Sequence, residues 1–269
     1  MNKGSYRSAF RDVQSTWCII PCSIFLGAGL VLGAPTGSPD SKAEEVAHVM
    51  MQAMGGQDAW NQARFVRFDF RVSIDGKLVA DRAHLWDKQT GRYRIEDKTK
   101  EGQSRVALFN VGNQQGFVYV DGKRPDDLAA LSALKEAYGA FINDLYWLAM
   151  PWKWMDPGVH LKYLGKKRNG AEEFDVVELA FESVGLTPGD RYQAFVSPRS
   201  HLMEHWKYTL QSGQKGAWDW QYITTAGVKL GSNHTSAGGK SINMGGVRIL
   251  KAVDDSFFAD PNRKLTELK

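Results

Sequence analysis

From residue 65 the apolar residues of this chain recur at every second position. In "RFVRFDFRVSIDG" Val66, Phe68, Phe70, Val72 and Ile74 alternate with Arg67, Asp69, Arg71 and Ser73. Strict alternation buries one face of a strand and leaves the other wet. "IDGKL" then reads as an Asp-Gly hairpin. Further strands are expected at 78–87, 91–98, 104–111 and 115–121, separated by Thr90-Gly91, Gly102, Gly112-Asn113 and Asp121-Gly122. After an interruption they resume near 159–166, 172–182, 190–197, 202–211, 217–224, 227–235 and 246–254. Outside the interruption the connections have hairpin length, so neighbours in sequence pair antiparallel. A twisted sheet of about 11–12 strands must curl.

A curled sheet has a concave side that needs cover, and only two segments have helical periodicity. "SKAEEVAHVMMQAMGG" opens with a capping box, Ser41 to Glu44, and carries Val46, Val49, Met50 and Met54 before stopping at Gly55-Gly56. Asp58 is expected to cap a short turn, "AWNQAR". Between 125 and 154, "DDLAALSALKEAYGAFINDLYWLAM" has helical composition, with stripes at Leu128, Leu131, Leu134 and Tyr138 and at Phe141, Leu145 and Leu148. Gly139 marks a break between two helices, and Pro151 ends the second. The fold class is therefore mainly β with α. It is a single curled antiparallel sheet, an unclosed half-barrel, with an N-terminal helix and a mid-chain helical lid on the concave side.

Lys3, Arg7 and Arg11 precede an uncharged apolar run from Trp17 to Ala34, a pattern that reads as a cleaved signal peptide over residues 1–34. The alternative is an uncleaved membrane anchor, since about 18 apolar residues just span a bilayer. Residues 35–40 then form a linker, 41–260 the folded domain with the lid insertion at 125–157, and 261–269 a tail, with "DDSFFADP" against the sheet edge and a frayed end. Without residues 1–34 the formal charge falls from +4 to +2, because Lys3, Arg7, Arg11 and Asp12 leave. That near-neutral balance lacks the footprint of a nucleic-acid binder. Cys18 and Cys22, the only cysteines, leave as well, which removes disulfides, thiol nucleophiles and cysteine metal sites.

Motifs for catalysis are sparse. "HLMEH" at 201–205 matches H-x-x-E-H, but that chemistry requires a helix, and the flanking "VSPRSHL" and "LMEHWKYTL" read as a turn and a strand. Four residues along a strand span about 13 Å, too far for both histidines to ligate one zinc. His48, His84, His160 and His234 are scattered. There is no G-x-S-x-G, G-x-G-x-x-G or Walker loop. No cofactor and no metal are expected. In "GLTPGDRY" Thr187, Pro188 and Gly189 build a turn across which Asp190 and Arg191 can pair.

The chain's aromatic supply points elsewhere. "YWLAMPWKW" at 146–154 holds Tyr146, Trp147, Trp152 and Trp154. The apolar arc of its helix is wider than one sheet contact needs. The sheet side supplies Phe68, Phe70, Phe109, Phe117 or Tyr119, Trp206, Trp218 and Trp220. An apolar pocket between lid and sheet would be lined by Met50, Phe68, Phe70, Phe109, Phe141, Leu145, Trp147, Leu148, Trp152, Trp206, Trp218 and Trp220. Asn143, Asp144 and His160 either mark its mouth or, for the first two, lie on the helix's wet face. A solid core is the alternative to a pocket.

Two groups of segments carry a resemblance. "FVRFDFRVSIDGKLVADRAHLWDKQTGRYRIE" and "YQAFVSPRSHLMEHWKY" resemble the outer-membrane lipoprotein-sorting family, LolA and LolB. "FINDLYWLAMPWKWMDPGVHLKYLG" and "GLTPGDRY" are more similar to that family's uncharacterised exported relatives. The resemblance covers roughly residues 41–260 and is one of topology. It implies an unclosed barrel that binds acyl chains under a helical lid. The signal segment points to a periplasmic or secreted location and the lack of a catalytic motif to no enzymatic activity; the expected partner is a lipid or a lipidated protein, with transient membrane contact and a monomeric state. A cell-envelope carbohydrate binder using Trp152, Trp154, Trp218 and Trp220, or a hydrolase, are the competing readings.

Overall fold

The structure, a computed structural model, describes residues 40–182 and 189–268. The expected signal segment, linker residues 35–39, and Thr187 and Pro188 lie outside the described residues. Helix α1 (Ser41–Ala53) and the short α2 (Gln57–Gln62) precede five strands: β1 (Phe65–Ile74), β2 (Lys77–Asp87), β3 (Arg92–Lys98), β4 (Ser104–Asn110) and β5 (Gly116–Val120). The long helix α3 (Asp127–Ala149) and a 3-10 turn (Met150–Lys153) follow. Seven more strands complete the sheet: β6 (Val159–Asn169), β7 (Glu172–Phe181), β8 (Arg191–Val196), β9 (Met203–Thr209), β10 (Lys215–Thr225), β11 (Val228–Thr235) and β12 (Lys240–Leu250).

All twelve strands form one sheet in the order β5-β4-β3-β2-β1-β12-β11-β10-β9-β8-β7-β6. Every pairing is antiparallel. The sheet is not closed into a barrel: β5 and β6 end the order. Among the described residues only the β1–β12 pair joins strands distant in sequence, and it lies at the centre of the sheet.

Three local expectations shift. The cap of α1 is Asp40 rather than Ser41: Asp40 Oδ1 accepts from the Ala43 N–H at 3.1 Å, and Oδ2 accepts from the Tyr163 N–H of β6 at 2.8 Å. One carboxylate thus satisfies an orphan helix donor and fixes α1 to the sheet margin. The mid-chain helix runs unbroken through Gly139, where a β-carbon would meet nothing within 4 Å. A glycine on that open side carries only its propensity cost, about 1 kcal/mol. The last strand runs 240–250 rather than 246–254, because Gly245-Gly246 sits within it, beside the register shift against Arg67 and Asp69, rather than before it.

The even positions of β1 face the concave side and α3. Val66, Phe68, Phe70 and Val72 join one core with Met50, Phe141, Leu145 and Trp206. The convex face is covered over β1–β3 by the tail, which lies across the face and not along the edge. There Leu85, Phe257 and Leu265 form a second small core. Arg94, wholly buried, donates to the carbonyls of Phe257 at 3.1 Å, Asp260 at 2.9 Å, Pro261 and Arg263, and its Nε meets Glu96 at 2.6 Å. The Glu96 carboxylate in turn accepts from the Leu265 N–H at 3.0 Å. Phe117 and Tyr119 also point to the convex side, paired with Leu108 and Val106 and overlaid by the Arg124 guanidinium. Neither belongs to the concave wall, where their neighbour Val118 is buried instead.

Candidate functional site

All ten residues from Phe141 to Met150 are buried. A helix buried all round must be enclosed by other elements, and here the sheet curls around α3. The polar pair inside that run, Asn143 and Asp144, is therefore neither at a mouth nor on a wet face. His160 is elsewhere, exposed and 2.8 Å from Glu182.

Asp144 meets β2. Arg82 grips it with two hydrogen bonds, Nε to Oδ2 at 2.6 Å and Nη2 to Oδ1 at 2.8 Å. His84 Nε2 lies 3.0 Å from Asp144 Oδ2, and His84 Nδ1 lies 2.8 Å from the Tyr93 hydroxyl. Asn143 donates to Asp144 Oδ1 at 2.9 Å. The Phe68 ring stacks on His84 at 4.4 Å, and the Arg82 guanidinium covers Phe70 at 4.8 Å. Burial alone would raise the Asp144 carboxyl. The Arg82 charge and the His84 and Arg82 hydrogen bonds outweigh it and hold the carboxyl below its ordinary value. Burial pushes His84 down despite Asp144, and it pushes the Tyr93 phenol well up. A neutral His84 beside an ionised Asp144 keeps its proton on Nε2, so Tyr93 donates to Nδ1.

One turn further along α3, Trp147 meets the other half of the sheet. Its ring lies 4.9 Å from Trp218 and 5.1 Å from Trp206, both edge-on, and stacks on Trp220 at 5.7 Å. His234 completes the group, 3.9 Å from Trp220. Tyr192 stacks on the far side of Trp206 at 4.9 Å. Burial drives the His234 pKa to about 3, with the Trp147 carbonyl opposing only in part. The helix comes this close because β11 has a glycine at 231, where a β-carbon would stand 2.6 Å from the Trp147 carbonyl.

The remaining residues expected at the pocket lie in the same interior. Phe141 packs edge-on against Tyr93 at 4.7 Å and lies 6.4 Å from Phe109. Met50, Leu145 and Leu148 are buried in the same core. Trp152 stacks on Trp60 at 5.4 Å and donates to the Lys229 carbonyl at 3.0 Å. The structure thus gathers the twelve residues expected at the pocket into one core, in which rings touch rings. Arg82, His84, Tyr93 and His234 were not expected there. Their signal was parity: Arg82 and His84 share the even register of the buried strand face.

The "HLMEH" histidines are separated. His201 lies in the β8–β9 turn with φ 56°, and His205, on β9, binds Asp219 at 2.7 Å. Among the described residues no group of three or more His, Cys, Asp or Glu side chains is placed to hold a metal. Asp190 accepts from the Gln211 N–H and the Tyr192 hydroxyl, while Arg191 faces Glu178 at 3.5 Å. No helix among the described residues is long and apolar enough to cross a membrane.

No family model matches the sequence, and no curated protein matches it. Solved structures do. A DUF1329 family protein from Desulfovibrio piger is 10% identical, with a TM-score of 0.48 over 82% of this chain and 98% of that one. A LolA superfamily protein from Nitrosomonas europaea is 11% identical, with a TM-score of 0.43 over 77% and 96%. A putative outer membrane lipoprotein-sorting protein domain from Vibrio parahaemolyticus is 11% identical, with a TM-score of 0.39 over 81% and 96%.

Proposed function

We propose that this chain is an exported, non-enzymatic carrier that takes an apolar ligand, a lipid or the acyl chain of a lipidated protein, between α3 and the sheet. The observation that carries the reading is how α3 is held. It crosses an aromatic wall inside an unclosed sheet and is attached to that wall through side chains, with no strand pairing to break. Lifting it separates ring from ring and exposes an apolar trough. An acyl chain in that trough replaces the lost contacts. At about 0.8 kcal/mol per methylene, roughly 15 methylenes offer about 12 kcal/mol of transfer free energy against the cost of opening. Met50, Phe141, Leu145, Trp147, Leu148 and Trp206 become the lining of that trough. The positively charged, then apolar N-terminal segment supports a place outside the cytoplasm.

The other readings fit less well. A sugar-binding surface needs exposed tryptophan faces, and Trp152, Trp154, Trp218 and Trp220 are all buried. A hydrolase needs an activated nucleophile. The Asp144–His84 pair leads to a Tyr93 phenol that burial makes harder to ionise, the wrong direction for a base or nucleophile.

Native mass spectrometry and solvent extraction of the purified protein should reveal bound lipid. After delipidation, a fluorescent acyl probe should bind with saturation and be displaced by unlabelled lipid. Protein free of lipid that also fails to bind the probe would overturn the proposal.

A further inference from the structure

The tryptophan half of the interior contains two indole N–H groups without a partner, beside a histidine whose nearest polar neighbour is the Trp147 carbonyl. The indole Nε1 atoms of Trp206 and Trp220 are buried without a partner, and neither nitrogen of His234 makes a well-formed hydrogen bond. All three residues are nine-tenths buried or more, and they adjoin one another: Trp206 and Trp220 lie 5.6 Å apart, Trp220 and His234 3.9 Å. The edge-on ring contacts offer the indoles a neighbouring π-face at best, which is a weaker acceptor than an oxygen. Buried donors are ordinarily paired, so a cluster left open calls for a missing acceptor.

The charge around the cluster narrows what that acceptor is. The Arg82 guanidinium is spent on Asp144, and His234 is neutral. A carboxylate or phosphate placed among these rings would be a buried charge without a counter-ion. A neutral oxygen would not.

We propose that the ligand taken up between α3 and the sheet carries neutral carbonyl oxygens within its apolar body. It is an acyl ester lipid, read by the indole N–H groups of Trp206 and Trp220 and by His234, and not a plain hydrocarbon or a free fatty acid. This rests on the carrier reading above and names its ligand class. The pattern also explains why aromatic residues with polar edges, and not leucines or phenylalanines, line this half. They give the ligand both an apolar wall and a few fixed donors.

The test compares didecanoylglycerol with the matching didecyl ether, which has the same shape and lacks only the carbonyls. Both are titrated into the delipidated full-length protein with isotope-labelled tryptophan indoles. The ester should bind at least about fivefold more tightly, the worth of one net hydrogen bond. The indole N–H resonances of Trp206 and Trp220 should move downfield with the ester and hold still with the ether. In Trp220→Phe and His234→Leu the preference should shrink toward one. Equal binding of both lipids with unmoved indole resonances overturns the ester proposal and leaves the carrier standing. Binding of neither lipid overturns both. If the variants do not fold, the wild-type resonances alone decide.

Discussion

Asp144 and Trp147 are three residues apart on one helix and face walls of opposite character. Asp144 is fully partnered: Arg82, His84 and Asn143 converge on its two oxygens, and Tyr93 completes the chain behind His84. Trp147 has contact on several sides, but the polar edges around it are unmatched. The first half specifies one geometry, because a buried charge network is tolerable only when complete. The second is held by ring packing, which has many near-equivalent arrangements and gives way without stranding a charge. Within one stretch of α3, then, one side is fastened by a complete charge network and the other is held by ring packing alone.

The harshest attack on this contrast is Asp144→Ala. It strands the Arg82 charge in the interior and should cost about 3–5 kcal/mol in urea unfolding. Arg82→Met combined with Asp144→Leu should lose much less, because the charge leaves with its partner. A single variant no worse than the double would mean that Asp144 is not the fastening point.

Acid should divide the halves next. His234 has a folded pKa of about 3, below the ordinary 6.5. The unfolded chain therefore takes up the proton first, and stability falls as pH drops below 6.5, levelling only near 3. At pH 5 the loss is about 2 kcal/mol relative to neutral pH. His84 is shifted in the same direction and adds to it. Unfolding free energies at neutral pH and at pH 5 should show a smaller acid loss in His234→Leu than in the wild type. Identical losses in the two would show that His234 is not buried neutral.

His205→Ala should have the smallest effect. It removes an outward-facing pair with Asp219, a residue two-thirds exposed, and should change stability by less than about 1 kcal/mol. It should leave lipid binding untouched. A large loss of binding would move the site off the concave face.

Much of the architecture was legible because alternation and hairpin turns are local signals. Val66, Phe68, Phe70 and Val72 declare their face by parity alone, and the "DDLAALSALKEAYGAFINDLYWLAM" stretch declares a helix by spacing. Errors arose where one residue has two meanings. Gly139 reads as a break but occupies an open side of α3, and the strand expected from 246 begins at Lys240 and runs through Gly245-Gly246. The charged cluster was hidden for a different reason. Asn143 and Asp144 look solvent-facing within a helix, and only the curl of the sheet, a long-range property, brings Arg82 and His84 against them. The tail's contact with the sheet is legible in "DDSFFADP", but its place across the convex face is not, since nothing local links Arg94 to carbonyls more than 160 residues later.

The central β1–β12 pairing also has a consequence for how such a chain comes into being. The first strand made finds one of its two neighbours only in the last. Until residue 250 has left the ribosome, β1–β5 is a meander with an open, aromatic edge, and β6–β11 is another, unable to join it. Contacts of such sequence separation close slowly. The open edges are a standing invitation to pair with another chain. A nascent molecule of this topology spends its whole synthesis without its central seam, with the strand edges of that seam open.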